Sequence, residues 1–157
     1  MPLIVGENSY GTLEQAETYF ITRLDSEAWS VADDAMKNAA MVTAAQVLDE
    51  EDWGGVAVSG TQLMAHPRKG SYLDPRLGFC VDFDGYPARL LKAQFETAYH
   101  FLNNDGLLDE TGKVESLKIS SVELLDIRKA ATLPNIAYTL IRPMLVNHGS
   151  RSWWRAN

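Results

Sequence analysis

The sequence predicts a mainly α-helical fold: a four-helix bundle with a long irregular insertion at about 53–86 and a β-hairpin at about 113–128. Three observations predict it. Apolar residues recur at three- and four-residue spacing in four separate stretches, the pattern of helices with one buried face. Between the second and third of these lies a stretch rich in glycine, with Pro67 and Pro75, that has no such period. Residues 113–128 alternate apolar and polar positions on either side of Ser120-Ser121, as two strands and a turn would.

The first helix covers about 12–25. Thr12 opens the run T-L-E-Q, so its hydroxyl can cap the helix while Gln15 reaches back, a capping box. Leu13, Ala16, Phe20 and Leu24 share one face. The second helix covers about 31–50, with Ser30 as its cap and Asp33 and Asp34 in the first turn. Its alanines (Ala39, Ala40, Ala44 and Ala45 among them) let neighbouring helices approach closely. It ends in Asp49-Glu50-Glu51-Asp52. Acids at a helix C-terminus oppose the macrodipole by about 0.3–1 kcal/mol each, so something other than helix stability accounts for them.

A loop as long as 53–86 in a small domain tends to be functional. Trp53, Leu63, Tyr72 and Phe79 are the side chains expected to pin it to the helices. The third helix starts near Pro87 as a first-turn proline and carries Leu91, Phe95, Ala98 and Leu102 as its apolar stripe. It stops near Asn103-Asn104-Asp105-Gly106. For 113–128 a helical reading of V-E-L-L-D-I-R-K-A-A competes with the hairpin, and periodicity does not choose between them. The last helix runs from Pro134 to about Leu145 with Ile136, Leu140, Ile141 and Met144 facing inward, and Pro143 should kink or end it. Two units follow: a helical domain, 1–146, and a C-terminal extension, 147–157.

The chain of 157 residues suits one core, and its formal charge is −7. A protein that grips nucleic acid by its phosphates usually shows a basic face, so the acidic balance counts against a tight DNA grip as the main activity. Cys80 is the only cysteine, which excludes an intramolecular disulfide and a cysteine-rich zinc site, and it reads as a buried small hydrophobe. No signal peptide and no apolar run of membrane-spanning length is apparent, so synthesis in the cytosol and no membrane partner are expected.

The search for chemistry returns nothing. His66, His100 and His148 stand in no metal-ligand spacing, and there is no nucleophile elbow, phosphate loop or dinucleotide fingerprint. Asp82-Phe83-Asp84-Gly85 resembles a fragment of a calcium loop but lacks the remaining ligands, and Asp84-Gly85 is more simply a turn. No catalytic residue, cofactor or metal is expected. Arg68, Lys69, Arg76, Arg89 and Lys92 would form a basic groove only if they converge.

The tail is the most informative segment. Arg151, Trp153, Trp154 and Arg155 crowd its end, and Trp and Arg are the residue types enriched in interface hot spots. The tail could fold back over its own core. Gly149 and Ser150 supply a joint that favours an intermolecular role. Stacking on single-stranded bases is a further option, which the acidic charge weakens.

Several segments together carry a family resemblance. The opening L-I-V-G-E-N-S-Y-G-T-L-E-Q-A-E-T-Y-F, the run from Trp29 to Asp49, Trp53-Gly54-Gly55, Gln62-Leu63, Pro67-Arg68-Lys69-Gly70, Asp84-Gly85 with Pro87, and Ala93, Glu96 and Ala98 follow one another in order. In that order and spacing the chain, over about residues 3–145, resembles phage proteins known both as head-tail connectors (adaptors) and as DnaT-like single-stranded-DNA-binding proteins. His66 stands where that family usually has tryptophan before Pro-Arg, and Ser120 or Ser121 replaces its turn glycine. The resemblance implies a structural virion protein at the head-tail junction. Its copies would form a ring, dodecameric by expectation, beneath the portal protein. The ring would continue the DNA channel and give the tail or a terminator (nozzle) protein its docking surface. DNA would pass without specific binding, and Asp49, Glu50, Glu51 and Asp52 would then be channel-facing acids that repel it. Arg151, Trp153, Trp154 and Arg155 would meet the portal or a neighbouring protomer. The family's other name implies the alternative, a single-stranded-DNA-binding accessory protein.

Overall fold

The computed structural model describes residues 2–104 and 133–146. Helix α1, Leu13–Ile21, begins at the capping box predicted for it: the Gln15 amide donates to the Thr12 hydroxyl, and the Thr12 amide donates to the Gln15 side chain. Ala16 and Phe20 are buried as expected. Leu24 is fully exposed, because the helix has already ended and the helical phase no longer carries it to the core.

The second predicted helix is in fact two: α2, Glu27–Val31, and α3, Asp34–Asp49. Ser30 lies inside α2, with its hydroxyl donating to the Glu27 carbonyl. The cap of the long helix is Asp33, whose carboxylate accepts from the Met36 amide at 2.7 Å. Ala32 breaks the run with an extended backbone. Helix α4, Ala88–Asn103, and helix α5, Asn135–Ile141, each follow a proline that occupies the cap position and not the first turn. A 3-10 turn, Arg142–Met144, closes α5 at Pro143, whose missing amide cannot continue the ladder. On α5 the inward positions are Ala137 and Ile141, so Ile136 points to solvent, while Met144 is buried as predicted.

The insertion is not irregular throughout. Strands β1, Val56–Ala57, and β2, Arg68–Lys69, pair antiparallel, and β3, Ser71–Asp74, pairs antiparallel with β4, Phe79–Asp82. The architecture is therefore mixed α and β, with five α-helices and two small sheets among the described residues, and not a four-helix bundle. Along β3 the two-residue period buries Tyr72 and Asp74 and exposes Ser71 and Leu73. Cys80 lies opposite Leu73 and is exposed with it, not buried as its residue type suggests. Trp53 and Tyr72 pin the insertion as predicted; Leu63 and Phe79 are exposed, and Phe83 takes their place in the core. Gly55 and Gly70 allow the backbone to cross itself beneath Phe83. A Cβ on Gly55, at φ +69°, would stand 2.3 Å from the Lys69 carbonyl oxygen. The predicted hairpin 113–128 and the extension 147–157 lie outside the described residues.

Helix α4 is the central element, packed between α3 and α5. One core cluster gathers Phe20, Trp29, Met41, Phe95 and Tyr99; the other gathers Tyr10, Leu48, Trp53, Phe83, Leu90 and Ile141. Val47 and Leu91 touch both. Gln94, fully buried on α4, holds the N-terminal arm in place. Its side-chain oxygen accepts from the Tyr10 and Gly11 amides, and its amide nitrogen donates to the Ser9 hydroxyl and the Met41 carbonyl.

Candidate functional site

The end of α3, the insertion and the end of α5 meet at one corner of the molecule. Asp49 is engaged there within the chain: its carboxylate accepts from the Tyr10 hydroxyl and from the Ala65 amide, the latter at 2.9 Å. Burial and this neighbouring carboxylate push the Tyr10 hydroxyl far above its usual range. Of the other acids in the run, Glu50 and Asp52 are exposed and Glu51 is half-buried. The Trp53 indole donates to the Leu48 carbonyl at 2.8 Å.

His66 is enclosed in an aromatic box. Its ring meets Trp53 edge-on at 4.7 Å, Phe83 at 5.7 Å and Tyr10 at 6.0 Å between centroids. It is 1% exposed, and neither ring nitrogen has a hydrogen-bond partner among the described residues. Burial, with the Arg68 charge adding to it, lowers the imidazole pKa to about 4, so the ring is neutral near pH 7. The Arg68 guanidinium itself donates to the carbonyls of Gly54, Gly55, Ala65 and Trp53 at 2.7–3.3 Å. It staples the insertion together and does not extend outward.

Other cations are committed in the same way. Asp74, 1% exposed, receives Arg76 and Arg89 on the two oxygens of one carboxylate, which holds that carboxyl well below the usual range. Arg89 also donates to the Leu140 carbonyl, so this cluster ties the β3–β4 hairpin to α4 and α5. Glu96 takes a two-pronged contact from Arg23 and a 2.5 Å hydrogen bond from the Tyr19 hydroxyl. Lys37 pairs with Glu17 at 2.6 Å. Among the described residues five of eight lysines and arginines are thus held by partners within the chain. Of Arg68, Lys69, Arg76, Arg89 and Lys92, three are bound by partners within the chain, and Lys69 and Lys92 are exposed.

The charge is unevenly spread along the chain. The described residues hold eight Lys and Arg against fifteen Asp and Glu; the remaining segments hold six of each. The net negative charge therefore resides on the described body. Lys113, Lys118, Arg128, Lys129, Arg151 and Arg155, together with Trp153 and Trp154, lie outside it.

A groove of about 660 Å³ opens beside α5. Leu73 and Pro75 of the β3–β4 hairpin line it together with Tyr138 of α5. The 3-10 turn adds Arg142 and Pro143, the chain just after it adds Leu145 and Val146, and Glu51 and Asp52 contribute acidic side chains. Sequence reasoning singled out the acids but missed the rest, because the lining comes from segments nearly a hundred residues apart. The exposed acids Asp82 and Asp84 belong to no metal-binding cluster, and no group of histidine, cysteine and carboxylate side chains suited to a metal exists among the described residues. No helix among them is long and apolar enough to cross a membrane.

Compared with known proteins, the chain matches one family, described as "Putative DnaT-like ssDNA binding protein", over residues 2–156. No curated protein and no solved structure matches it.

Proposed function

We propose, for a chain that belongs to the DnaT-like ssDNA-binding family, that it acts as a non-enzymatic accessory protein that binds single-stranded DNA. The observation that carries this reading is the match across nearly the whole chain. The charge distribution then decides where contacts arise. The acidic body, with most of its cations engaged internally, is a scaffold. Phosphate contacts fall to the six lysines and arginines outside it, and base stacking to Trp153 and Trp154. The test is fluorescence anisotropy on a labelled single-stranded oligonucleotide across a salt series. Each phosphate contact contributes about 0.7 to the log–log salt slope. Replacing Arg151 and Arg155 by glutamine should therefore flatten that slope by about 1.4. Absence of binding at low salt refutes the reading.

A second reading is favoured by a different observation, the acidic body with exposed apolar side chains on the insertion: Val56, Leu63, Leu73, Leu77 and Phe79. Exposed apolar surface of this kind suits protein assembly. In this reading the chain is a head-to-tail adaptor of a tailed phage virion, made in the host cytoplasm. It forms a ring of copies, a dodecamer, on the portal protein through its tail residues Arg151, Trp153, Trp154 and Arg155. The ring docks a tail or nozzle protein and presents Glu50, Glu51 and Asp52 to passing DNA. Light scattering on the chain alone and mixed with its portal separates the two readings. A ring-sized complex with the portal and no DNA retention would establish the second; DNA retention with no portal complex would establish the first.

A further inference from the structure

Strand β4, Phe79–Asp82, has one neighbour among the described residues, β3. The Phe83 amide donates to the Gly70 carbonyl at 2.8 Å, in the register of the β3–β4 ladder. Hydrogen-bonded and non-hydrogen-bonded pairs alternate along an antiparallel ladder. Tyr72–Val81 and Asp74–Phe79 are therefore the bonded pairs. Ser71–Asp82 and Leu73–Cys80 are not, so the amides and carbonyls of Cys80 and Asp82 point away from β3. No backbone hydrogen bond among the described residues meets them on that side. β3 differs, because it packs beside the 3-10 turn Arg142–Met144.

This edge is open and firmly held. Unpaired edges are commonly blunted by lysine, proline or a bulge, and Phe79-Cys80-Val81-Asp82 carries no lysine and no proline. Phe79 is 59% exposed although it shares a hairpin face with the buried Tyr72 and Asp74. The ion pair of Asp74 with Arg89, at 3.0 Å, fixes the hairpin to α4, so the edge is ordered before any partner arrives.

The edge complements a second copy of itself in one antiparallel register. A two-fold axis at Cys80 sets Cys80 opposite Cys80, Phe79 opposite Val81 and Asp82 opposite Gly78. The outward amide and carbonyl of Cys80 then bond between the copies, and two Phe79–Val81 pairs form on one face. Asp82 approaches the turn that carries Arg76, whose side chain is 67% exposed. Moving the axis to Asp82 sets two carboxylates opposite each other, which is unfavourable. Moving it to Val81 leaves Phe79 opposite the buried Phe83, and moving it to Phe79 sets most of the strand against the turn.

We infer that the free edge of β4 is the pairing site for a second copy of this chain, antiparallel and centred on Cys80, so that one sheet runs across both chains. Such a contact is isologous and closes at two copies. It is independent of whether the outside partner of the chain is DNA or protein.

The experiment is sedimentation equilibrium of the full chain in reducing buffer from ~1 μM to ~1 mM, the range of weak specific contacts. A monomer–dimer equilibrium is expected. Each chain carries a formal charge of −7, so the dimer should tighten as salt screens the repulsion, opposite in sign to DNA binding. Phe79→Lys alters an exposed position and should leave the melting curve unchanged. It should raise the dissociation constant by about tenfold, because both Phe79–Val81 pairs are lost. Oxidation with diamide reads the register without any substitution. The Cα atoms of a bonded antiparallel pair lie about 5.5 Å apart, within the span of a disulfide. Two Cys80 thiols give up two protons and two electrons to diamide, which becomes the hydrazine. Since Cys80 is the only cysteine, the native parent should yield one cross-linked dimer, and Phe79→Lys should slow its formation. A chain that stays monomeric throughout overturns the proposal, as does assembly beyond two copies. A dimer indifferent to Phe79→Lys, or one that diamide leaves uncross-linked, overturns it equally.

Discussion

Replacing His66 by phenylalanine removes a buried imidazole whose ring nitrogens both lack a hydrogen-bond partner among the described residues. In the folded chain its pKa is about 4, against 6.5 for the free side chain. As pH falls through 6.5 the unfolded chain takes up a proton that the folded chain refuses, so stability declines until the folded ring itself protonates near 4. At pH 5 the linkage relation gives a loss of about 2 kcal/mol relative to pH 7, rising to ~3 kcal/mol below pH 4. Phenylalanine keeps a planar ring among Trp53, Phe83 and Tyr10 but cannot titrate. Its larger size shifts absolute stability by about 1–3 kcal/mol, and a difference between two pH values cancels that shift. Urea unfolding at pH 7 and pH 5 is the assay. The parent should lose about 2 kcal/mol more than the variant between the two conditions. The depressed Asp74 carboxyl does not interfere, since its stabilisation is lost only as pH falls below the ordinary carboxylate range. Equal losses in the two proteins would show that the His66 box opens to water or finds a partner.

Three further outcomes are expected. Gly55→Ala places a Cβ against the Lys69 carbonyl at a positive φ. It should cost at least ~2 kcal/mol, a fall in melting temperature of roughly 4–8 °C; an unchanged melting curve would mean the β1–β2 crossing is looser than described. Gln94→Leu strands two backbone amides and the Met41 carbonyl in the core, for about 4 kcal/mol in chemical denaturation; a loss under about 1 kcal/mol would refute the clamp. Cys80, exposed on the outer face of the β3–β4 hairpin, should react with a thiol reagent in the native chain at the same extent as in urea, and protection from the reagent would contradict its position.

The sequence made the start of α1 and the stripe of α4 legible because both signals are local: a capping box and a long amphipathic period. The break between α2 and α3 escaped because Ser30 and Asp33 are equally good cap residues and the flanking alanines fit either side of a helix. The strands escaped because a two- or four-residue strand is too short to show its period among glycines. In the candidate site, Asp49, Glu50, Glu51 and Asp52 were visible as a charge run. What Asp49 does was not visible, since its partners Tyr10 and Ala65 arrive from distant parts of the chain. The same applies to Asp74, Gln94 and Glu96, ordinary polar residues whose importance comes entirely from partners brought together by folding.

The Gln94 clamp also constrains the order in which the protein can assemble. Tyr10 and Gly11 stand more than eighty residues from Gln94, and Met41 fifty-three. Closing loops of that length costs entropy before any contact returns it. The pairing of α3 with α4 therefore precedes the seating of the N-terminal arm, which has nothing to bind until the Gln94 amide is held in place. A chain emerging from the ribosome cannot complete this step until α4 has been synthesised. The arm is expected to be the last of these three elements to gain protection from hydrogen exchange during refolding.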